Sequence, residues 1–496
     1  MKIKKKRRSA NRRFFLNIFA LVLIVYGIAA LPPVGVAAFL GETAPLLPLG
    51  IISATCIAAG FMIRHFTDMH SGEVRHRINF ATTIITWLFI LFISSVVYYF
   101  GCEGATLADS LFEATASLTT TGTGDLGISS VPVSLQLWHS ILNWLGGAGL
   151  ILIAACYLQS WSFSGHSLIS AELPGNEYLQ SSSSYRITYR NILKLYAALT
   201  MIQFVLLIIA GMPALTSVMT SLSNISTAGL QHINNGVITQ LSMPVKVIIT
   251  LFAFAGSLNL SFIVLLIIRK ARSPILRSES FNYVLRLLIV SLFIAAMIAV
   301  SSRRDFFPVL GDSVMQTVSF LSTSGYIITD CVEWPLICKI TIVFCGFIGA
   351  CAVSTGGGIK TARVDIAART VSFGLFLNIH PRAVRTIRSD NKFVRQDQIL
   401  SANLYMALFM AVFIVGAFLL SFDIKEASIF DALNYSHAMI TNTGTSICEV
   451  GVQSSAAQFS ALSKIIMSLE MLCGRLEIYP VIMLFSRSFW RSEKRR

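Results

Sequence analysis

The chain has 496 residues, of which 54% are hydrophobic and only 13% charged, about half the charged share of a soluble globular protein. With a mean hydropathy of +0.70, these numbers exclude a soluble enzyme, a disordered chain and a disulfide-rich secreted domain. The nine cysteines stand singly without a CxxC pair, so neither a zinc ribbon nor a redox motif is indicated.

A bilayer-spanning helix takes about 20 apolar residues, and the apolar runs predict ten spans. They lie near 14–42, 46–64, 79–101, 134–160, 190–212, 244–268, 281–301, 336–370, 400–422 and 459–486. The first run is too long for a cleaved signal peptide and lacks a small-residue cleavage site. Lysine and arginine set the sides. The tail 1–13 holds Lys2, Lys4, Lys5, Lys6, Arg7, Arg8, Arg12 and Arg13, and alternate loops stay basic through the C-terminal Arg491, Lys494, Arg495 and Arg496. The opposite loops hold only Arg303, Arg304 and Lys425. The positive-inside rule then puts both termini in the cytoplasm. The formal charge of +15 is read as topology and contact with anionic lipid, not as a nucleic-acid surface.

From residue 75 the chain repeats with a period of about 100. Each unit is a span, a short amphipathic stretch, a Thr/Ser-Gly segment and a second span. The segments centre on Gly122, Gly229, Gly325 and Gly444. Thirteen residues before each stand Asp109, Thr216, Asp312 and Asp431, expected as helix N-caps. In the second spans a base stands ten before a glycine: His139, Lys246, Lys339 and Lys464 before Gly149, Gly256, Gly349 and Gly474. The plain expectation for these bases is snorkelling to the outer interface. The resulting organisation is a basic cytoplasmic tail (1–13), two extra N-terminal spans (14–74), pore repeat 1 with its following loop (75–185), repeat 2 (186–277), repeat 3 (278–395), and repeat 4 with a basic C-terminal tail (396–496).

Each unit crosses the membrane twice, so all four point the same way and can ring an axis along the membrane normal, unlike inverted repeats. Irregular backbone at membrane depth is tolerated only where it lines water or packs in protein. The fold class predicted is therefore an all-α integral membrane protein: two N-terminal spans plus four parallel span–pore helix–span repeats around a pseudo-fourfold pore. Four re-entrant loops supply a cation with carbonyl ligands, glycine reaches the backbone angles needed, and the helix C-termini add negative potential. Asp125 and Glu103 are candidates for extra cation attraction, or else solvated loop carboxylates.

TTTGTGDLG at 119–127, ISTAGLQ at 225–231, LSTSGYI at 321–327 and ITNTGTS at 440–446, with NWLGGAGLILIA at 143–154 and CGRLEIY at 473–479, resemble the Trk/Ktr/HKT superfamily of potassium transporters. The resemblance spans 75–486, and the two extra spans favour its bacterial Trk membrane-subunit branch. It implies a filter built from Thr120, Thr121, Gly122, Ser226, Thr227, Ala228, Gly229, Thr323, Ser324, Gly325, Asn442, Thr443 and Gly444. Potassium would be held at Thr121, Gly122, Thr227, Ala228, Thr323, Ser324, Asn442 and Thr443. Sodium-preferring plant relatives carry serine where this chain has Gly122. The resemblance also implies a homodimer in the bacterial inner membrane, working with a cytosolic regulatory subunit that has nucleotide-binding Rossmann domains. The chain itself carries no cofactor site, and potassium is cargo.

STGGGIKTAR at 354–363 is not a phosphate loop, because Ile359 separates glycine from Lys360. Three glycines break an apolar helix. By resemblance, Ser354, Thr355, Gly356, Gly357 and Gly358 form an intramembrane gate below the filter; the alternative is a packing kink. Arg475 sits well inside the hydrocarbon by helix rise, where a charge needs a partner or a wet cavity. By resemblance it is an electrostatic barrier in the pore; the alternative is an ion pair with Glu470 or Glu477. Competing functions are a sodium-permeable relative, a proton- or sodium-coupled carrier, which needs a titratable relay, and a membrane enzyme, which needs a convergent His/Asp/Glu/Cys cluster.

Overall fold

The computed structural model describes residues 2–67, 76–123, 131–158, 182–230, 232–233, 238–269, 279–302, 305–329, 331, 334–380, 388–389, 392–394, 396–423, 429–445 and 459–485. Asp125 and the last basic residues lie outside them.

Helix α1 (Lys2–Ala29) runs from the basic tail straight into the first apolar stretch. It breaks at Ala30, and α2 (Leu31–Leu40) opens with proline in its first turn, where the missing N–H costs nothing. Helix α3 (Thr43–Phe66) returns against α1. The two backbones approach closely. A Cβ on Gly60 would stand 2.8 Å from Ala20 O, and one on Gly27 2.9 Å from Ser53 O. The Ser53 hydroxyl donates to Gly27 O at 2.7 Å. Small residues permit such contact where no water drives helices together. Gly60→Leu is expected to lower thermal stability in detergent by about 1–3 kcal/mol through overpacking. An unchanged melting temperature would contradict this close packing.

Four units follow. The first is α4 (His76–Gly101), short α5 (Leu107–Leu118) and α6 (Val133–Leu158). The second is α7 (Ser182–Ile209), short α8 (Ala214–Ile225), then α9 (Met243–Ser257) and α10 (Leu260–Arg269). The third is α11 (Glu279–Ser302), α12 (Phe306–Leu321), α13 (Leu336–Ile348) and α14 (Thr361–Ile379). A two-residue antiparallel ladder pairs Arg388 with Phe393 and Ser389 with Lys392. The fourth is α15 (Gln396–Leu420), α16 (Ile429–Ile440), α17 (Ala461–Leu476) and α18 (Ile478–Phe485).

Among the described residues, six segments are long and apolar enough to cross a membrane: Phe15–Leu40, Thr43–Phe66, Ile84–Gly101, Arg190–Ile209, Glu279–Ser302 and Gln396–Leu420. The spans expected as continuous near 244–268 and 459–486 are instead interrupted, and the span near 336–370 is broken around its three glycines as the sequence predicts. Leu258 turns extended and Asn259 Oδ1 accepts from Phe262 N at 3.2 Å, restarting the helix. Gly349 adopts a φ of 70° and opens a loop to residue 360. Glu477 stands at φ 64° with its carboxylate on Arg363 at 2.7 Å.

The expected N-caps also need correction. Thr106 caps α5, and Asp109 sits at N3 in a reciprocal capping box, accepting from Thr106 N at 2.9 Å. Thr216 and Asp431 are likewise third residues of their helices. Asp312 is the seventh of α12, which begins earlier, after Asp305. An N3 carboxylate accepts from the N-cap amide, while the N-cap hydroxyl accepts from the N3 amide.

Apolar cores tie these units together. One packs α7, α9, α11, α12 and α13 around Tyr283, Phe320 and Tyr326. Another seats α1–α3 against α4 and α6, with Tyr26 edge-on to Trp138 at 5.1 Å. Outward faces expose Phe92, Ile209, Val300 and Phe418, the residues a lipid environment accepts.

Candidate functional site

All four short helices stop four residues before their glycine: Leu118 before Gly122, Ile225 before Gly229, Leu321 before Gly325 and Ile440 before Gly444. The turn that follows is the same each time. Thr120, Thr227, Thr323 and Asn442 take φ values of 56°, 54°, 61° and 56°, and the glycines take 64°, 81°, 67° and 77°. Amides just before the glycine bond back to the helix. Thr121 N reaches Ala116 O at 3.0 Å, and Ala228 N reaches Ser223 O, Ser324 N reaches Ser319 O and Thr443 N reaches Ala438 O, each at 2.9 Å. With those donors occupied, the carbonyls are the polar groups left available to the neighbouring segments.

The four segments meet glycine to carbonyl in cyclic order. A Cβ on Gly122 would stand 1.3 Å from Ala228 O, on Gly229 2.8 Å from Ser324 O, on Gly325 1.8 Å from Thr443 O, and on Gly444 1.8 Å from Thr121 O. Each glycine thus abuts the carbonyl preceding the next unit's glycine, and the fourth returns to the first. Every filter residue expected from the sequence is buried in this ring. Hydroxyl pairs back three segments: Thr119 with Thr121 at 2.8 Å, Ser322 with Ser324 at 2.9 Å and Thr441 with Thr443 at 2.8 Å. The second has Ala228 instead, and Ser226 Oγ turns to Ser223 O at 2.8 Å.

The glycine-rich loop lies under the ring, against the helix ends. The Thr355 hydroxyl shares its hydrogen between Ile225 O at 2.9 Å and Gly256 O at 3.0 Å. Gly357 N donates to Thr323 Oγ1 at 2.7 Å, and Gly358 N to Thr441 O at 3.1 Å. A Cβ on Gly356 would meet Ser322 O at 2.7 Å, and one on Gly357 would meet Thr441 O at 2.2 Å. Ser354 Oγ turns into its own loop, donating to Cys351 O at 2.5 Å. Lys360 Nζ donates to Gly356 O.

Arg475 is buried and pairs with neither glutamate named for it. Its guanidinium donates to Thr355 O at 2.6 Å and to Gly146 O at 3.0 Å, bridging the loop to α6. Glu470 accepts instead from Ser436 Oγ at 2.5 Å, and Glu477 from Arg363. The snorkelling expectation fails for two bases. Buried Lys464 reaches Asp109 at 2.5 Å, and buried His139 Nδ1 lies 2.8 Å from Glu113 Oε1. Lys246 Nζ donates to Thr239 O at 2.6 Å. Sequence reasoning misses Glu113; an acid among the apolar and small residues of the second half of a short helix is the available signal. In the first unit the glycine against a helix end is Gly146, whose Cβ would stand 2.0 Å from Leu118 O, rather than Gly149. Glu103 is exposed, outside the ring.

Helices of bilayer length enclosing polar, irregular backbone characterise an integral membrane transport protein. Residues 50–301 and 309–492 match the TrkH family of cation transport proteins, and the chain belongs to that family. The family is one of transporters, not enzymes. The chain is similar to the Trk system potassium uptake protein TrkH of Vibrio parahaemolyticus serotype O3:K6, at 26% identity over 97% of this chain and 99% of the relative. Similarity to the Trk system potassium uptake protein TrkG of Escherichia coli K12 is also 26%, over 98% and 100%. The crystal structure of the potassium transporter TrkH from Vibrio parahaemolyticus has the same fold, with a TM-score of 0.82 at 22% identity over 97% and 99% of the two chains.

Proposed function

We propose that the chain takes potassium into the cell through the ring of four Thr/Ser-Gly segments. The observation that carries this reading is the closed cyclic contact of glycine on carbonyl, with one backbone conformation used four times. Carbonyl oxygens replace the water shed by a cation, and four helix C-termini favour positive charge. The relatives are named for potassium uptake, and Gly122 stands where sodium-preferring relatives carry serine. Thr121, Gly122, Thr227, Ala228, Thr323, Ser324, Asn442 and Thr443 would supply the ion's ligands.

In this reading the loop from Ser354 to Gly358 is the gate, supported by its seat directly under the ring. Arg475 is the barrier, supported by its burial among carbonyls instead of carboxylates. The protein resides in the bacterial inner membrane with both termini cytoplasmic, as the basic loops favour. It acts as a homodimer with a cytosolic Rossmann-domain subunit, as the family resemblance favours.

The test is cation flux into liposomes holding this chain alone. Potassium and rubidium flux is expected, with sodium flux at least about tenfold lower, a discrimination of about 1.4 kcal/mol. Equal sodium flux would move the protein to the sodium-permeable relatives.

A further inference from the structure

The ring has one seam unlike the others. Consecutive units are joined by the chain, but the fourth meets the first through contacts alone. The apolar part of that seam sets Phe112 and Ala116 against Met439, Met467 and Met471. Methionine fills space but specifies position poorly. At ring level the seam is closed by Asn442. This residue takes the place that threonine holds in the other units, two before the glycine, and is 1% exposed. Asparagine tolerates its positive φ well.

The Asn442 amide donates to Thr121 Oγ1 at 3.0 Å and to Met471 O at 3.0 Å. A carbonyl can only accept, so the contact with Met471 O fixes which end of the amide is nitrogen. The orientation then propagates. Thr121 Oγ1 accepts from Asn442, so its own hydrogen goes to Thr119 Oγ1 at 2.8 Å, and Thr119 donates to Thr115 O at 2.7 Å. One directed chain of hydrogen bonds runs from the fourth unit, through the first filter segment, into α5. Thr121 O, the carbonyl against Gly444, belongs to the residue this chain holds.

We propose that Asn442 is a positioning residue for ion specificity: its side-chain amide closes the open seam and fixes the width of the carbonyl ring. This inference rests on the potassium-filter reading above. A threonine at 442 would make the four segments more alike in sequence, yet its hydroxyl stops one bond short of Thr121.

The experiment compares potassium and sodium flux in liposomes for the full chain, Asn442→Thr, Thr121→Val and the double variant. Each single change is expected to lower the potassium-to-sodium ratio about threefold to tenfold, the range of one buried neutral hydrogen bond. The double variant should lose clearly less than the two singles combined, because both remove the Asn442–Thr121 bond. A ratio unchanged in Asn442→Thr, or additive losses in the double variant, would overturn the inference. Should Asn442→Thr fail to assemble, Thr121→Val decides alone, since it removes the acceptor while keeping shape. Equal sodium flux in the unmodified protein would instead remove the potassium reading, and this inference with it.

Discussion

Gly122→Ser is expected to lower the potassium-to-sodium flux ratio at least tenfold in reconstituted liposomes, the largest loss among the four ring glycines. Two costs combine. The residue sits at φ 64°, where a side chain adds about 1–2 kcal/mol. Its Cβ would stand 1.3 Å from Ala228 O, so that carbonyl must retreat about 2 Å to regain ordinary contact. The equivalent distances rank the other positions: Gly325 and Gly444 at 1.8 Å should be nearly as sensitive, and Gly229 at 2.8 Å the most forgiving. A Gly122→Ser protein that keeps its selectivity, or a Gly229 variant worse than the rest, would contradict the ring contact as the determinant.

Arg475→Ala is expected to raise rubidium uptake by tenfold or more. A unit charge about 4 Å from a passing cation costs about 4 kcal/mol at an effective dielectric constant near 20, so a barrier of that size leaves room for such a rise. The residue also tethers Thr355 O and Gly146 O, and two further variants separate charge from tether. Arg475→Lys keeps the charge and should stay slow. Arg475→Gln keeps a donor for Thr355 O without the charge and should be fast if the charge is the barrier. A well-expressed Arg475→Ala protein with unchanged uptake would rule out the barrier role.

Much of the architecture is legible in the sequence because it is written four times. Gly122, Gly229, Gly325 and Gly444 recur with hydroxyl neighbours, and one backbone turn repeated around the ring uses a glycine at each of them. The glycine-rich break is legible at Gly356, Gly357 and Gly358, but the other two interruptions are illegible for a physical reason. A window long enough to detect a span averages across Leu258 or Glu477, and neither is a strong helix breaker. Partners were illegible as well. Asp109 and Lys464 are 355 residues apart, and nothing in a single sequence couples them. The acids near Arg475 are visible in the sequence, but its partners are backbone carbonyls, which every residue carries. Asn442 is readable as a member of the ring only through the family resemblance, and its amide bond to Thr121 depends on the fold bringing the chain's ends of the ring together.

The glycine–carbonyl contacts all run the same way round: first unit on second, second on third, third on fourth, fourth on first. The ring therefore has a hand, like overlapping blades in an iris. A defect written at one glycine is felt by the carbonyl of a different unit, so the altered codon and the altered ligand are offset by one blade. Damage at Gly444 surfaces at Thr121 O, across the one join the chain does not span.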